Sequence, residues 1–273
     1  MKKKLYIKDS NFSHCLYSSN PTPPVNLTAD IEWDRTTPPP GVDVVCTDFK
    51  LQEGNIAWIL EPYAIHPFAY EYIRQNPKKY KEIWTHDKEL LVFPNAKFYP
   101  VGGCWLKEED RKIYDKSKMF SIIASNKNQT QGHQLRHQII QAAGKKIDAF
   151  GPSYIPFKEH ASNKIEGLKD YRYHFVIENC KRDFYFSEKL IDTLMTGTIP
   201  IFWGCPSIEK FFNPEGFIIF NDLYELKDKL KLCTPEYYDS KKDIIKENFE
   251  KAKDYILPEN WIAKNILTST TKS

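Results

Sequence analysis

The chain has 273 residues, 41% apolar and 14% aromatic, which is enough for one large or two small folded domains and far from a disordered composition. Its 39 basic and 36 acidic residues are interspersed and leave a formal charge of only +3. That balance argues against nucleic acid as a main partner, because a protein that tracks phosphates carries a larger, clustered basic excess.

The first residues, Met1-Lys2-Lys3-Lys4, look like the basic end of a signal peptide, but Leu5-Tyr6-Ile7 runs into Lys8-Asp9 with no apolar core between. No later stretch approaches the ~20 apolar residues of a membrane span. The expectation is an unanchored, cytoplasmic chain with no membrane segment. The six cysteines are scattered without a Cys-x-x-Cys pair, which suits reduced, partly buried thiols better than zinc or a disulfide framework. The triplets starting at Asn11, Asn26 and Asn128 match the N-glycosylation pattern, which carries no meaning in a cytoplasmic protein.

Two proline clusters, at 21–24 and 38–40, bracket a stretch expected to be mostly extended loop. Strands are predicted at 42–47 and 55–60, a helix opened by Pro67 over 67–76, and a short strand at 82–85. Gly102-Gly103 and the charged run 107–118 mark a boundary. A second series follows, with strands at 120–124, 147–150, 173–177, 199–203 and 217–220 and helices at 131–143 and 188–196. Two helices, 223–232 and about 235–255, close it. Continuous apolar strands separated by helices imply parallel sheets covered on both faces. The fold expected is therefore α/β, with two Rossmann-like domains facing across a cleft and ligands collecting at the carboxyl ends of the strands. The domains expected are 1–115 and 116–256, followed by a tail at 257–273.

The chemistry concentrates where the strand Phe175-Val176-Ile177 ends in Glu178-Asn179-Cys180, Phe186-Ser187-Glu188-Lys189 opens a helix, and Gly197 precedes a second strand ending at Trp203-Gly204. Ser187 is a natural N-cap and Gly197 sits where a C-terminal cap belongs. Lys189 breaks the local agreement, since a cation in a helix's first turn opposes the macrodipole at a cost of about 0.3–1 kcal/mol. An anion docked on the first-turn amides and this ammonium would explain it, and so would a plain ion pair with Glu188 or Asp192. His133 and His137 lie one turn apart with no third ligand evident, and read as loop and surface residues rather than a metal site.

This constellation resembles the donor-binding motif of the α-1,3-fucosyltransferases, glycosyltransferase family 10. The motif stands here as Ile177-Glu178-Asn179-Cys180, Phe186-Ser187-Glu188-Lys189 and Gly197-Thr198-Ile199-Pro200-Ile201-Phe202-Trp203-Gly204-Cys205-Pro206. The similarity runs on from Phe211 to Ile218 and is strong over 118–225. Cys180 replaces the usual serine, and Phe186-Ser187 replaces an aromatic-x-threonine spacing.

The resemblance implies a GT-B-like fold and an inverting transferase that moves fucose from GDP-fucose to a glycan hydroxyl. It places the acceptor on the N-terminal domain and the nucleotide sugar on the C-terminal one. By the same resemblance Glu188 meets the ribose hydroxyls, Lys189 the diphosphate, and Asn179 the nucleotide. Arg136, on the helix after the first strand of this domain, matches the family's upstream arginine and would grip the diphosphate bidentately. Glu178 and Asn126, in the two strand-end turns, complete the candidate donor set.

Direct displacement also needs a carboxylate to take the acceptor's proton. Glu61, held extended by Pro62 at a strand's carboxyl end, occupies a place comparable to the family's proposed base. Asp87 and Glu178 are its rivals, and His66 and His86 are candidates to orient the base or the acceptor. The sequence holds no Asp-x-Asp, so no obligatory metal is expected; stimulation by Mn²⁺ or Mg²⁺ stays open. Two alternatives also stay open: a different nucleotide-sugar donor on the same fold, and a catalytically silent glycan-binding protein.

Overall fold

In the computed structural model, residues 3–9, 31–155 and 164–267 are described. The chain divides into two compact units, one comprising 1–103, 183–185 and 254–273 and the other 104–182 and 186–253.

The first unit is built on a six-stranded parallel sheet in the order β2-β1-β3-β4-β5-β6. Its strands are β1 (Lys3–Lys8), β2 (Ile31–Asp34), β3 (Val44–Thr47), β4 (Ile56–Trp58), β5 (Glu82–Thr85) and β6 (Ala96–Phe98). Helix α1 (Pro67–Gln75) lays Ala69, Tyr70 and Ile73 against Cys46, Ala57, Ile59 and Ile83. Because side chains alternate along a strand, Trp58 points to the opposite face from Ala57. There it stacks on Trp33 at 5.3 Å and meets Trp84 and Tyr99 edge-on. The fully buried Tyr70 and Trp84 thus belong to the core.

Two strands depart from the sequence expectation. The lysine-rich start, to which no element was assigned, forms β1, an interior strand between β2 and β3, with Ile7 buried. β2 lies in the stretch expected as loop. Their identity comes from pairing with neighbours rather than from local pattern. Asn11, Asn26, Cys15 and the first proline cluster fall outside the described residues.

The second unit carries a five-stranded parallel sheet, β11-β10-β9-β7-β8. Its strands are β7 (Lys118–Ile123), β8 (Asp148–Phe150), β9 (Tyr171–Ile177), β10 (Ile199–Trp203) and β11 (Ile218–Ile219). Helix α2 (Gln131–Ala143) follows β7 and α3 (Glu188–Leu194) follows β9. Alternate residues of the central strands, Tyr173, Phe175 and Ile177 with Ile199, Ile201 and Trp203, form one core with Leu135 and Ile139 of α2. Each such side chain contributes about 1.5–3 kcal/mol by leaving water. α3 ends at Leu194, where Gly197 at φ +70° returns its amide to the Leu194 carbonyl. The expected last helix is two, α4 (Leu223–Lys229) being followed by α5 (Pro235–Ser240) and α6 (Lys242–Ala252), with Lys241 between them at φ −102°, ψ 9°.

The division falls after Gly103, earlier than the expected residue 115. The linker is tied to the second unit through the Trp105 amide on Asp192 and the Lys116 ammonium on Thr196 O and Thr198 Oγ1. The expected tail is no separate piece either, because residues 254–267 return to the first unit. There α7 (Pro258–Ile262) sets Trp261 edge-on to Phe98, and the Tyr255 carbonyl receives the Gly103 amide. Gly102, at φ +51°, is required there, since a Cβ would stand 2.6 Å from the Tyr255 carbonyl oxygen.

Candidate functional site

In the second unit, β7 and β9 are neighbours whose following helices lead in opposite directions across the sheet, to β8 on one side and β10 on the other. Such a switch point is where parallel α/β sheets bind ligands, outside the carboxyl ends of the strands. The side chains singled out from sequence gather there, organised by three consecutive residues at the end of β9.

Ile177 turns its carbonyl to Arg136, accepting from Nε at 3.0 Å and Nη2 at 2.6 Å. Asn179 Oδ1 accepts from the same Nη2 at 3.1 Å. Glu178, fully buried between them, accepts from the Ser187 amide at 2.8 Å and from Ser187 Oγ at 2.7 Å. Its Oε2 lies 3.8 Å from Lys189 Nζ. Arg136 is therefore no surface arginine but a buried cation anchored on the strand end. Helix α2 comes this close only because residue 132 is glycine: a Cβ there would stand 1.7 Å from the Glu178 carbonyl oxygen.

Lys189 Nζ lies 3.1 Å from Ser187 Oγ and 3.2 Å from Glu188 Oε1. Among the sequence alternatives the ion pair with Glu188 is thus present, and it shares the ammonium with Glu178. Arg136 and Lys189 both reach the end of β9, the first through Ile177 and Asn179 and the second beside Glu178, while burial, with nearby cations, pushes the His133 pKa down to about 4. His133 is not a loop residue but the N3 member of a capping box with Thr130. His137 bonds Tyr154 Oη at 2.7 Å.

Two first-turn amides of α2 are already used, that of Gly132 by the Asn179 carbonyl and that of His133 by Thr130 Oγ1. The amides of Ser187 and Lys189 are likewise taken by Glu178 and by Ser187 Oγ. Positive charge at the site consequently resides in side chains more than in open backbone. Asn126 sits in the exposed turn after β7 and accepts from Ser153 Oγ at 2.5 Å, apart from the contacts that join the others.

Sequence reasoning missed Lys164. Its Nζ lies 3.3 Å from Glu188 Oε1 and 3.1 Å from Asp192 Oδ2. Burial raises the cost of charge on Glu188, but Lys189 and Lys164 outweigh it and hold its carboxyl below the usual range. On Asp192 burial wins and the carboxyl is pushed up despite Lys164. The sequence signal was the Glu188/Asp192 pair at i, i+4, with Asp192 set among the apolar residues of α3; nothing local marks Lys164.

In the first unit Glu61 stands just past β4, half-buried, with its amide on Asp48 Oδ2 at 2.8 Å and its carbonyl accepting from Tyr70 Oη at 2.9 Å. Asp48, also missed, accepts the Leu60 amide too, and burial pushes its carboxyl up to about 7. His66 stands at the N-cap position of α1 without a side-chain capping bond, its ring 4.1 Å from that of Phe49 and its Nδ1 4.0 Å from Asp48. Burial lowers the His66 pKa. His86 and Asp87 are wholly buried, His86 beside the rings of Tyr99 and Tyr185 and Asp87 capping the next turn through the Glu89 amide. Among the described residues no three His, Cys, Asp or Glu converge on a metal-holding arrangement, and no helix is long and apolar enough to cross a membrane. Cys46, Cys104 and Cys233 are buried thiols.

Comparison with known proteins agrees with this layout. An α-(1,3)-fucosyltransferase of Helicobacter pylori is 41% identical over 63 residues, 23% of this chain and 13% of that protein. The chain therefore matches only a small part of that relative's length. A crystal structure of an α1,3-fucosyltransferase with GDP superposes with a TM-score of 0.58 at 17% identity, covering 93% of this chain and 89% of that one. An α1,3-fucosyltransferase solved with GDP-fucose gives the same TM-score at 16% identity and the same coverage. These matches fix the fold as the GT-B-like α/β architecture of parallel sheets. The model of the C-terminal part of glycosyltransferase family 10 (fucosyltransferase) matches residues 113–264, more than half of the chain and the whole of the cluster around β9. The chain belongs to glycosyltransferase family 10, the fucosyltransferase family.

Proposed function

We propose that this chain is an inverting fucosyltransferase that takes GDP-fucose as donor and a glycan hydroxyl as acceptor. The observation that carries the reading is that Arg136 and Lys189 both reach the end of β9, beside Asn179 and Glu188. A pyrophosphate there meets two cations in a partly dry setting, where charge-assisted hydrogen bonds are strong. The Lys189 ammonium leaves its carboxylate neighbours for the phosphate oxygens, and Glu188 receives the ribose hydroxyls. Arg136 holds Asn179 and the strand end in place and adds its field to the departing GDP. The family's relatives solved with GDP and GDP-fucose support the guanine nucleotide as donor.

In the reaction the acceptor oxygen attacks the anomeric carbon as the bond to the GDP oxygen breaks, inverting that centre. Glu61 takes the acceptor's proton. Its backbone is fixed by Asp48 and Tyr70, so the carboxylate is presented from a rigid strand end. No obligatory metal enters this scheme, because the side-chain cations meet the leaving charge.

Isothermal titration with GDP, UDP and GDP-fucose tests the donor: heat with GDP and GDP-fucose is expected, and no heat with GDP overturns the reading. Replacing Glu61 by Gln should abolish transfer while leaving GDP-fucose affinity within about twofold, since a lost base acts on the chemical step alone. Retained transfer in that variant removes Glu61 from the mechanism.

A further inference from the structure

Glu188 and Asp192 lie one turn apart on α3, where two carboxylates repel each other. Both sit against the body of the unit, and Lys164 bridges them at 3.3 and 3.1 Å. The other Asp192 oxygen takes the Trp105 amide at 2.7 Å, and the Lys164 ammonium lies 5.6 Å from the centroid of the Trp105 ring. Lys164 is thus pinned from three sides. Lys189 is held differently: at 26% exposure against 18% for Lys164, its ammonium is shared among Ser187, Glu188 and Glu178 with no backbone-anchored aspartate or aromatic ring among the described residues fixing it, so it can be redirected.

We infer that Lys164 is a positioning residue for the donor, the fixed cation that keeps Glu188 ionised and aimed once Lys189 turns to the diphosphate. This rests on the donor reading above. A diphosphate competes for Lys189 with at least as much charge as the two glutamates, so binding it strips Glu188 of one of its two cations. Without Lys164, a carboxylate in these surroundings beside Asp192 would take up a proton and lose its value as a double acceptor for ribose hydroxyls. Lys164 cannot follow the phosphate, because Asp192 and Trp105 hold it. The division of labour is one mobile lysine for the phosphate and one fixed lysine for the acid.

The test is GDP titration calorimetry on the full chain, wild type against Lys164→Met, Lys164→Gln and Lys164→Arg, from neutral to mildly acid pH. The groups facing Glu188 are Lys164 from the turn before β9, Lys189 and Asp192 from its own helix, and Glu178 through Ser187. Removing Lys164 lets burial raise the Glu188 carboxyl, so the Met and Gln variants should bind GDP roughly tenfold more weakly at neutral pH. They should also lose binding at a higher pH than wild type, and Arg should restore both. In a Glu188→Gln background the Lys164 changes should no longer move the acid limb, which a purely structural role would not predict. Wild-type affinity and an unshifted acid limb in the Met and Gln variants would overturn the inference, as would an Arg variant impaired like Met. Should the Met variant not fold, the Gln and Arg pair decides alone. A wild-type chain that gives no heat with GDP is a separate outcome: it removes the donor reading, and this inference with it.

Discussion

The isosteric change Glu178→Gln probes the hub of the site. Its carboxylate serves both the Ser187 amide and the Ser187 hydroxyl, at 2.8 and 2.7 Å, with the Lys189 ammonium 3.8 Å away. Glutamine keeps one acceptor for the amide but turns an NH₂ toward Ser187 Oγ, leaving the hydroxyl proton without its acceptor. The lost attraction to Lys189 is about 4 kcal/mol at an effective dielectric of about 20. Much of it is returned, because a neutral side chain costs less to bury and because Lys189, 26% exposed, keeps Glu188 as a partner. The net loss expected is about 2–3 kcal/mol, typical of a broken charge-assisted hydrogen bond plus a mismatched neighbour. At roughly 2–4 °C per kcal/mol for a domain of this size, calorimetry should show Tm falling by about 4–12 °C. GDP affinity should fall as well, since α3 loses the anchor of its first turn. A Tm within about 2 °C of wild type and unchanged GDP affinity would refute the view that Glu178 seats α3.

Three further outcomes are expected. Gly132→Ala drives a methyl to 1.7 Å from a backbone oxygen that no rotamer change relieves, so it should cost about 3 kcal/mol or more and weaken GDP binding. Thermal melts and calorimetry read both, and wild-type values would sink the packing argument. His174 is buried with Nδ1 2.8 Å from Ser121 Oγ, whose proton goes to the Gly167 carbonyl, and burial lowers its pKa to about 3. Because the unfolded chain binds this proton more readily than the folded one, stability should be complete above the unfolded pKa of about 6.5 and fall by about 1.4 kcal/mol per pH unit toward 3. Urea midpoints that stay flat from pH 7 to 5, or fall equally steeply in His174→Gln, would contradict it. Asp48→Asn keeps one acceptor for the paired amides of Leu60 and Glu61, so it should lower transfer several-fold with GDP affinity intact, read as kcat against donor Kd.

Several elements of both units were legible in the sequence. β5, α2 and β10 were placed to the residue, because apolar runs and a 3.6-residue repeat are local properties of the chain. The Ser187 cap and the turn at Gly197 follow from the chemistry of single residues. The motif around Glu178 and Glu188-Lys189 likewise announced a site, since a lysine in a helix's first turn is locally unfavourable and calls for a non-local reason. What the sequence could not decide was which groups meet. β1 and β2 are strands because the sheet pairs them, not because their local pattern insists on it. The role of Glu178 as an anchor, the burial of Arg136 against Ile177, and the entry of Lys164 between Glu188 and Asp192 depend on contacts between residues 9 to 43 positions apart. The electrostatic state of a carboxylate is set by its burial and by the cations within a few ångströms. Those are properties of three-dimensional neighbours, and only the folded chain supplies them.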